Sequence, residues 1–428
     1  MPIVQQGALN TTALVVPDLY VQIVPPQNLV LNGVPTNLLG VVGTATWGPV
    51  NQPVVVATMA DYARTFGPVM ARKYDLGTPI ATAVQQGASN FRCVRVTDGT
   101  DTAATYATFY AAGAYPLQLV ARYTGSLGNQ IALAITAGSQ VSTWRLAIGV
   151  PGQASETFDN IAAPTPAAFW ANLARAVNNG SSALRGPSQL VIASLGTATT
   201  TAPAALANQT LLGGTDGAAA VGVASLIGQD TLPRSGMYAL RGQGCSLALL
   251  SDADDSTQYT VQASFGLSEG IYMAATGPSG DTMSNAVATK QTAGLDSYAV
   301  KLMFGDWIYW SDQANNTIRL VSPQGFAAGR LANLSPEQSS LNKPLYAVIG
   351  SQNQVRPVPA KQRATAAPSW PNCLAPASTS LPIHSRPAAS GASAAATTAA
   401  ATPRPSATTT LASPTISPPP LRPAWASM

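Results

Sequence analysis

Beyond Val355 the chain loses the features from which a fold can be built. Fourteen of its 34 prolines fall in the final 73 residues, which are otherwise rich in Ala, Ser and Thr and carry no hydrophobic period. Such a segment buries too little apolar surface to offset the entropy of ordering it. Any core must therefore come from residues 1–355, a length sufficient for two or three domains. The formal charge divides at the same point. Residues 1–355 hold 16 Lys and Arg against 18 Asp and Glu, a net of −2. Arg356, Lys361, Arg363, Arg386, Arg404 and Arg422 follow with no acid, so 6 − 2 gives the overall +4. The basic balance is thus a property of the tail and no sign of nucleic-acid binding.

Only 9% of residues are charged while 46% are hydrophobic, against a typical quarter charged. Much of the folded surface must then be uncharged, which suits burial against further copies of the same chain. Cys93, Cys245 and Cys373 lie far apart without metal-like spacing, and their odd number argues against a disulfide framework. A reduced, cytoplasmic place of assembly is expected. The opening MPIVQQGALNTTALVVPDLY has no basic start followed by an apolar run, so no signal peptide is read. The most apolar stretches, such as Ala103–Val120, are broken by Thr, Gly and Pro, so no membrane span is expected.

Five regions follow in order. Residues 1–28 read as an extended N-terminal arm, because LVVPDLYVQIVPP alternates β-formers with prolines. Prolines place such a strand at a sheet edge. Residues 29–98 read as the first part of a core domain. Here Leu38–Thr46 is a buried strand, Trp47–Pro49 a turn and Pro53–Ala57 a short strand. Thr58 then caps a helix in which Tyr62 and Phe66 face inward, and Gly67 and Pro68 stop it. A second helix over about Pro79–Gln86 leads to a strand at Phe91–Val96. Residues 99–217 read as an inserted, mostly β domain with one helix at Pro166–Val177. Residues 218–355 return to alternating helices and strands, including a strand at Ser246–Leu250, and 356–428 form the low-complexity tail. The fold class expected is α+β or α/β and multi-domain: a mixed sheet-and-helix core, the β insertion, the arm and a disordered tail.

Little in the sequence carries chemistry. The single histidine, His384, lies in the tail, so a catalytic triad has no base within the folded body and a histidine metal cluster is excluded. Asp252, Asp254 and Asp255 are weighed as a hard-cation site and read instead as an exposed turn. LLGGTDG at Leu211–Gly217 and GPSGD at Gly277–Asp281 lack the Lys-Ser/Thr pair of a phosphate loop and read as turns. Arg92 and Arg95 flank Cys93, which reads as structural and not as an activated thiolate. Trp307, Tyr309 and Trp310 in DWIYW suggest a platform for stacking bases or sugars, yet alternation along a strand favours packing. No catalytic residue, cofactor or metal is assigned. A hydrolase built on carboxylates or a Ser–Lys pair lacks any motif.

Several segments in order resemble the contractile-tail sheath family, over about Tyr20 to Gly350. Leu39–Pro53 (LGVVGTATWGPVNQP) is similar to the opening of the family core, and DYARTFG follows at the family's distance. QGASNFRCVRV at Gln86–Val96 resembles its arginine-bearing strand segment, and ARYTGSLGN at Ala121–Asn129 the start of its inserted domain, which LLGGTDG closes. DWIYWSDQANN, RLVSPQGFAAGR and SSLNKP resemble the late core motifs. The core-motif positions carried over are Gly43, Trp47, Gly48, Pro49, Arg95, Asp306, Trp307, Asp312, Pro323 and Gly329. The resemblance implies a non-enzymatic virion structural protein of a bacteriophage or prophage-derived injection particle. It would polymerise with itself in helical rings around an inner tail tube protein, meet baseplate and tail terminator proteins, and assemble in the host cytoplasm. Leu14, Val16, Tyr20, Val21 and Ile23 are the candidate inter-subunit arm, adding a strand to a neighbouring sheet. The alternative from another class is a carbohydrate- or nucleic-acid-binding module using the DWIYW aromatics, with the tail as a Pro/Thr-rich stalk.

The tail departs from the family, whose members continue into a C-terminal core segment and arm. Shifting the reading frame permits GIDF from Pro376–Ser380, GHNSSSN from Ala395–Thr402, DNY from Ala407–Thr410 and GMG from Pro423–Ala426. These strings in order point to an out-of-frame reading that begins between Gly350 and Arg363. Cys373, His384 and the basic tail would then carry no function.

Overall fold

The computed structural model describes residues 3–6, 20–23, 35–107, 115–182, 184–303, 307–335, 337–338 and 343–352. Leu14, Val16, Asp306 and the whole of 356–428, with Cys373 and His384, lie outside the described residues. Among those described, the chain is a mixed α/β protein of several sheets and seven α-helices.

β1 (Ile3–Gln6) and β2 (Tyr20–Ile23) pair in parallel as a two-stranded sheet, Val4 opposite Val21. Three of the five candidate arm residues, Tyr20, Val21 and Ile23, lie in β2. The body begins with β3 (Leu39–Gly43) and β4 (Pro53–Val56), then α1 (Met59–Phe66), α2 (Gly77–Gln85) and β5 (Phe91–Arg95). α1 starts where the sequence predicts, because the Thr58 hydroxyl accepts from the Asp61 amide at 3.1 Å. Tyr62 and Phe66 are one turn apart and buried.

The chain then makes β6 (Thr105–Tyr106), β7 (Leu117–Ala121), β8 (Ala132–Ala137), β9 (Trp144–Gly149), β10 (Glu156–Ile161), α3 (Pro166–Asn179), β11 (Val191–Leu195) and β12 (Leu206–Thr210). These strands form two antiparallel sheets, β10-β9-β8-β12 and β11-β7-β6. The inner faces and α3 share one core containing Leu133, Leu146, Phe158, Phe169, Trp170 and Val191. Thr165 caps α3 and Pro166 occupies its first turn, where a missing amide hydrogen costs nothing. The Trp170 indole donates to the Thr201 carbonyl at 2.8 Å, which satisfies its one polar atom inside the core.

The return gives α4 (Val223–Ile227), β13 (Leu247–Leu250), α5 (Tyr259–Glu269), β14 (Tyr272–Thr276), α6 (Met283–Ala293) and β15 (Val300–Met303). It closes with β16 (Ile308–Asp312), β17 (Thr317–Val321), α7 (Gln324–Ala332) and β18 (Val348–Ser351). The main sheet has the order β15-β14-β13-β3-β5-β4, parallel throughout except for β4 at one edge. One apolar cluster covers one face with α1, α2, α7 and β16. Another covers the opposite face with α4, α5 and α6. β16, β17 and β18 make a separate antiparallel sheet.

Candidate functional site

Of the carried-over motif residues that are described, Gly43 and Arg95 close β3 and β5, and Trp47, Gly48 and Pro49 follow β3 directly, so these five lie at the carboxyl ends of the parallel strands. Arg95 closes β5 and is fully buried (0% exposed). Its Nη1 donates to the Gly48 carbonyl at 2.8 Å and the Thr124 carbonyl at 2.6 Å, and its Nη2 to the Asp216 carbonyl at 3.2 Å. One side chain thus ties the turn after β3 to the segment after β7 and to the segment after β12. Gly48 adopts a φ of +97°, and a Cβ there would lie 2.6 Å from the Thr65 carbonyl oxygen, so this turn requires glycine. Beside it Pro49 completes the turn, and Trp47 leaves the main sheet to pack in the core of the insertion, edge-on to Tyr123 at 5.5 Å. Asp216 accepts from the Ser126 amide and from Arg72 Nη1, both at 2.6 Å. Burial opposes its charge, yet the bonds from Ser126 and Arg72 hold its carboxyl below the usual carboxylate range. Burial pushes Arg95 down to about 10.

A second polar chain joins the small sheet to α2. Asp312, wholly buried, accepts from Arg319 Nε at 2.7 Å and from Asn315 Nδ2 at 2.8 Å. Arg319 Nη2 donates to Thr78 Oγ1 at 2.6 Å, and Thr78 donates through its amide and its hydroxyl to Asp75 Oδ2, each at 2.9 Å. Desolvation pushes the Asp75 carboxyl up to about 7. Pro323 occupies the N-cap position of α7. Gly329 lets α7 lie directly on α2, since a Cβ there would come 2.4 Å from Ala83 Cα. Gly43 is equally constrained, by Ser251 Oγ at 2.7 Å and the Leu76 backbone at 2.9 Å.

The DWIYW aromatics do not form a stacking platform. Trp307 and Trp310 are buried and Tyr309 half-buried. The Trp307 indole donates to the Gly277 carbonyl at 3.0 Å and that of Trp310 to Gln85 Oε1 at 2.8 Å. Cys93 and Cys245 are buried, and burial pushes both thiols up, Cys245 to about 11, so neither is poised as a thiolate.

Open α/β sheets take ligands in the crevice outside the strand carboxyl ends, where the strand order reverses. Here that point lies between β3 and β13, and a crevice of about 380 Å³ opens near it, lined by Arg72, Lys73, Asp252, Asp254, Trp307 and Arg319. Its cations are already matched by this chain's own acids: Arg72 with Asp216, Lys73 with Asp254 at 2.9 Å, Arg319 with Asp312. No surplus charge is left to recognise an ionic substrate. The acidic turn differs from the exposed turn expected of it. Asp252 is only 8% exposed, its amide donates to Gln324 Oε1 at 3.0 Å, and desolvation raises its carboxyl. Asp254 is committed to Lys73, and Asp255 caps the turn at Ser256–Gln258 through the Thr257 amide. Among the described residues no group of three His, Cys, Asp or Glu side chains is placed to hold a metal, and no helix is long and apolar enough to cross a membrane.

Arg72 and Asp75 escaped the sequence reading, and Arg319 and Asp216 were legible only as members of longer segments. No local signal marks the first two, since Arg72 and Asp75 flank Lys73 within ARKYD and the residues that give them their roles, Asp216 and Arg319, lie far along the chain.

The fold matches known ones. A crystal structure of a sheath tail protein from Desulfitobacterium hafniense aligns at a TM-score of 0.53 with 16% identity, covering 84% of this chain and 70% of that one. A sheath tail protein from Listeria innocua aligns at 0.55 with 14% identity, covering 84% and 68%. No protein-family profile and no curated protein matches the sequence. The chain therefore has the fold of sheath tail proteins, and the resemblance read from its segments holds at that level.

Proposed function

We propose that the chain is a structural subunit of a contractile tail sheath in a virion or related injection particle. It polymerises with itself in helical rings around an inner tail tube protein, bounded by baseplate and tail terminator proteins, and contracts to drive the tube through a host envelope. The observation that carries this reading is the sheath-tail fold across 84% of the chain. The motif residues add support: Gly43, Trp47, Gly48, Arg95, Asp312 and Gly329 hold packing and polar junctions together and do not surround a reactive cleft. A metastable packing released by rearrangement needs no nucleotide site.

The division into arm (1–28), core (29–98 and 218–355), insertion (99–217) and out-of-frame tail (356–428) belongs to the same proposal. Tyr20, Val21 and Ile23, with Leu14 and Val16, form the inter-subunit arm. In support, the only strand paired with β2 among the described residues is β1, and a two-stranded ribbon is marginal by itself in water.

Electron microscopy of the purified full chain mixed with the tube subunit tests the function: sheathed tubes or helical polymers are expected. A monomer that stays dispersed at every concentration, with and without the tube, overturns it. Deleting residues 1–28 is expected to leave the circular-dichroism spectrum of the body intact and abolish polymers. Sequencing the gene across the codons for Gly350 to Arg363 tests the tail: a single inserted or deleted base that restores GIDF and GHNSSSN is expected.

A further inference from the structure

Successive residues of a strand point to opposite faces of its sheet, so a cavity bordered by one face meets every second residue. The crevice of about 380 Å³ beside the strand carboxyl ends meets three in a row, Arg319, Leu320 and Val321 of β17. What borders it is therefore the edge of the strand, with its backbone amides and carbonyls. Among the described residues β17 pairs with β16 alone, so that edge is open. Ala71, Lys73 and Ser279, all exposed, contribute to the rest of the lining. An open edge presents unpaired backbone groups and is a template for a further strand.

The chemistry of the walls says what kind of strand fits. Arg72, Lys73 and Arg319 each contact an acid of this chain, Asp216, Asp254 and Asp312. The remaining acid, Asp252, is buried and desolvation raises its carboxyl. A charged strand would lose its hydration here without finding a free counter-charge, whereas an uncharged one loses little. The N-terminal arm has that composition: Asp18 is the only charged side chain in residues 1–28, and β2 carries none. β2 also has an edge to offer, since among the described residues only β1 pairs with it. Within one copy β2 lies outside the β17 sheet, so an arm strand that fills the crevice comes from another copy.

We infer that the crevice is the landing site of the arm: β2 of a second copy enters it in extended form and hydrogen-bonds along the open edge of β17. The inference rests on the sheath reading for the arm and for the second copy, and adds the surface that receives them. Three residues of strand span about 10 Å, the stretch of β17 that borders the crevice, so the four residues of β2 are enough to fill it. Main-chain bonds supply the affinity of such an addition, and side-chain contacts at alternate positions set its register. Leu320, half-buried, and Ile318, 57% exposed, share one face of β17, and Val21 and Ile23 of β2 are spaced to cover them.

The test is fluorescence anisotropy of a labelled synthetic peptide of residues 12–28, titrated with the full chain at dilutions where light scattering shows single chains. A saturable rise is expected. Val21→Pro in the peptide removes a backbone donor and is expected to weaken binding by about tenfold. Ser279→Trp and, separately, Ala71→Trp in the chain fill the crevice from exposed positions. Each is expected to abolish peptide binding and leave the circular-dichroism spectrum of the wild type. The absence of saturable binding overturns the inference, and so does binding that is unchanged by both tryptophans or by Val21→Pro. Electron microscopy separates this result from the function itself. Polymers of the Ser279→Trp chain indistinguishable from those of the wild type overturn the landing site and leave the sheath reading standing. A wild-type chain that stays dispersed with the tube subunit, yet binds the peptide and loses it with Ser279→Trp, supports the landing site and overturns the sheath reading.

Discussion

The main parallel sheet and the antiparallel insertion solve the same packing problem in opposite ways. β3, β13 and β15 are buried at every residue, because helices cover both faces of a parallel sheet. β7, β9 and β11 alternate, with Leu117, Leu119 and Ala121 inward on β7 and Ile192 (49% exposed) outward on β11. The insertion is held by a single apolar face and α3. The body adds a polar layer at its strand ends, where Arg95, Asp312 and Asp75 are buried and Arg319 half-buried in hydrogen-bonded chains. The difference teaches where each region is brittle: the insertion in the volume of its core, the body in close backbone approach and in charge.

Trp170→Ala is the largest expected effect. It empties the centre of the insertion's core and orphans the Thr201 carbonyl, at a cost of about 3–5 kcal/mol. Calorimetry is expected to show a low-temperature transition for the insertion ahead of the body. A single transition shifted as a whole would break the comparison and make the two regions one cooperative unit. Gly329→Ala strikes the body instead. Its new Cβ meets the Ala83 backbone at 2.4 to 2.7 Å, forcing α7 off α2 at about 1–3 kcal/mol. Here the body transition is expected to fall while that of the insertion stays in place.

The same contrast explains what the sequence made legible. Thr58 with Asp61, Pro166, and the runs at Leu38–Thr46 and Ser246–Leu250 announce α1, α3, β3 and β13, because caps and continuous apolar strands are local signals. Strand order is not local: nothing near Leu39 says that Phe91 and Leu247 pair on either side of it. The site was half legible for the same reason. Gly48, Arg95, Asp312 and Gly329 stand out within segments, whereas Arg72 and Asp75 acquire their roles from partners far along the chain, Asp216 and Arg319. Asp252 looked like one of three turn acids, and only the packing of Gln324 against its backbone reveals that it is interior.

Asp75 sharpens the charge side of the comparison. Its carboxyl goes from 3.8 in the unfolded chain to about 7 in the fold, mainly by desolvation. Between those values the folded state holds a proton that the unfolded state has released, so this group's contribution to stability is full below about 4 and is lost as pH rises through 7. Asp75→Asn is expected to remove that term. The difference between wild type and variant, from denaturant unfolding at pH 4 to 8, is expected to slope by at most about 1.4 kcal/mol per pH unit, the value for one proton. A parallel pair of profiles would place the buried charge elsewhere.

The smallest effect is expected at the rim. Lys73 pairs with Asp254 at 2.9 Å, but its side chain is 49% exposed and water screens the pair. Lys73→Ala is expected to cost less than about 1 kcal/mol, and less still in high salt. Its value lies in the contrast with Arg95→Met, which removes a wholly buried cation a few residues from the same crevice. If Lys73→Ala unfolds the body as readily as Arg95→Met, the crevice is stabilised by its rim, and the account of a polar interior beneath an inert opening fails. If Lys73→Ala melts like wild type while Arg95→Met does not, stability resides in the junction that Arg95 makes between Gly48, Thr124 and Asp216, and the open crevice is left as surface.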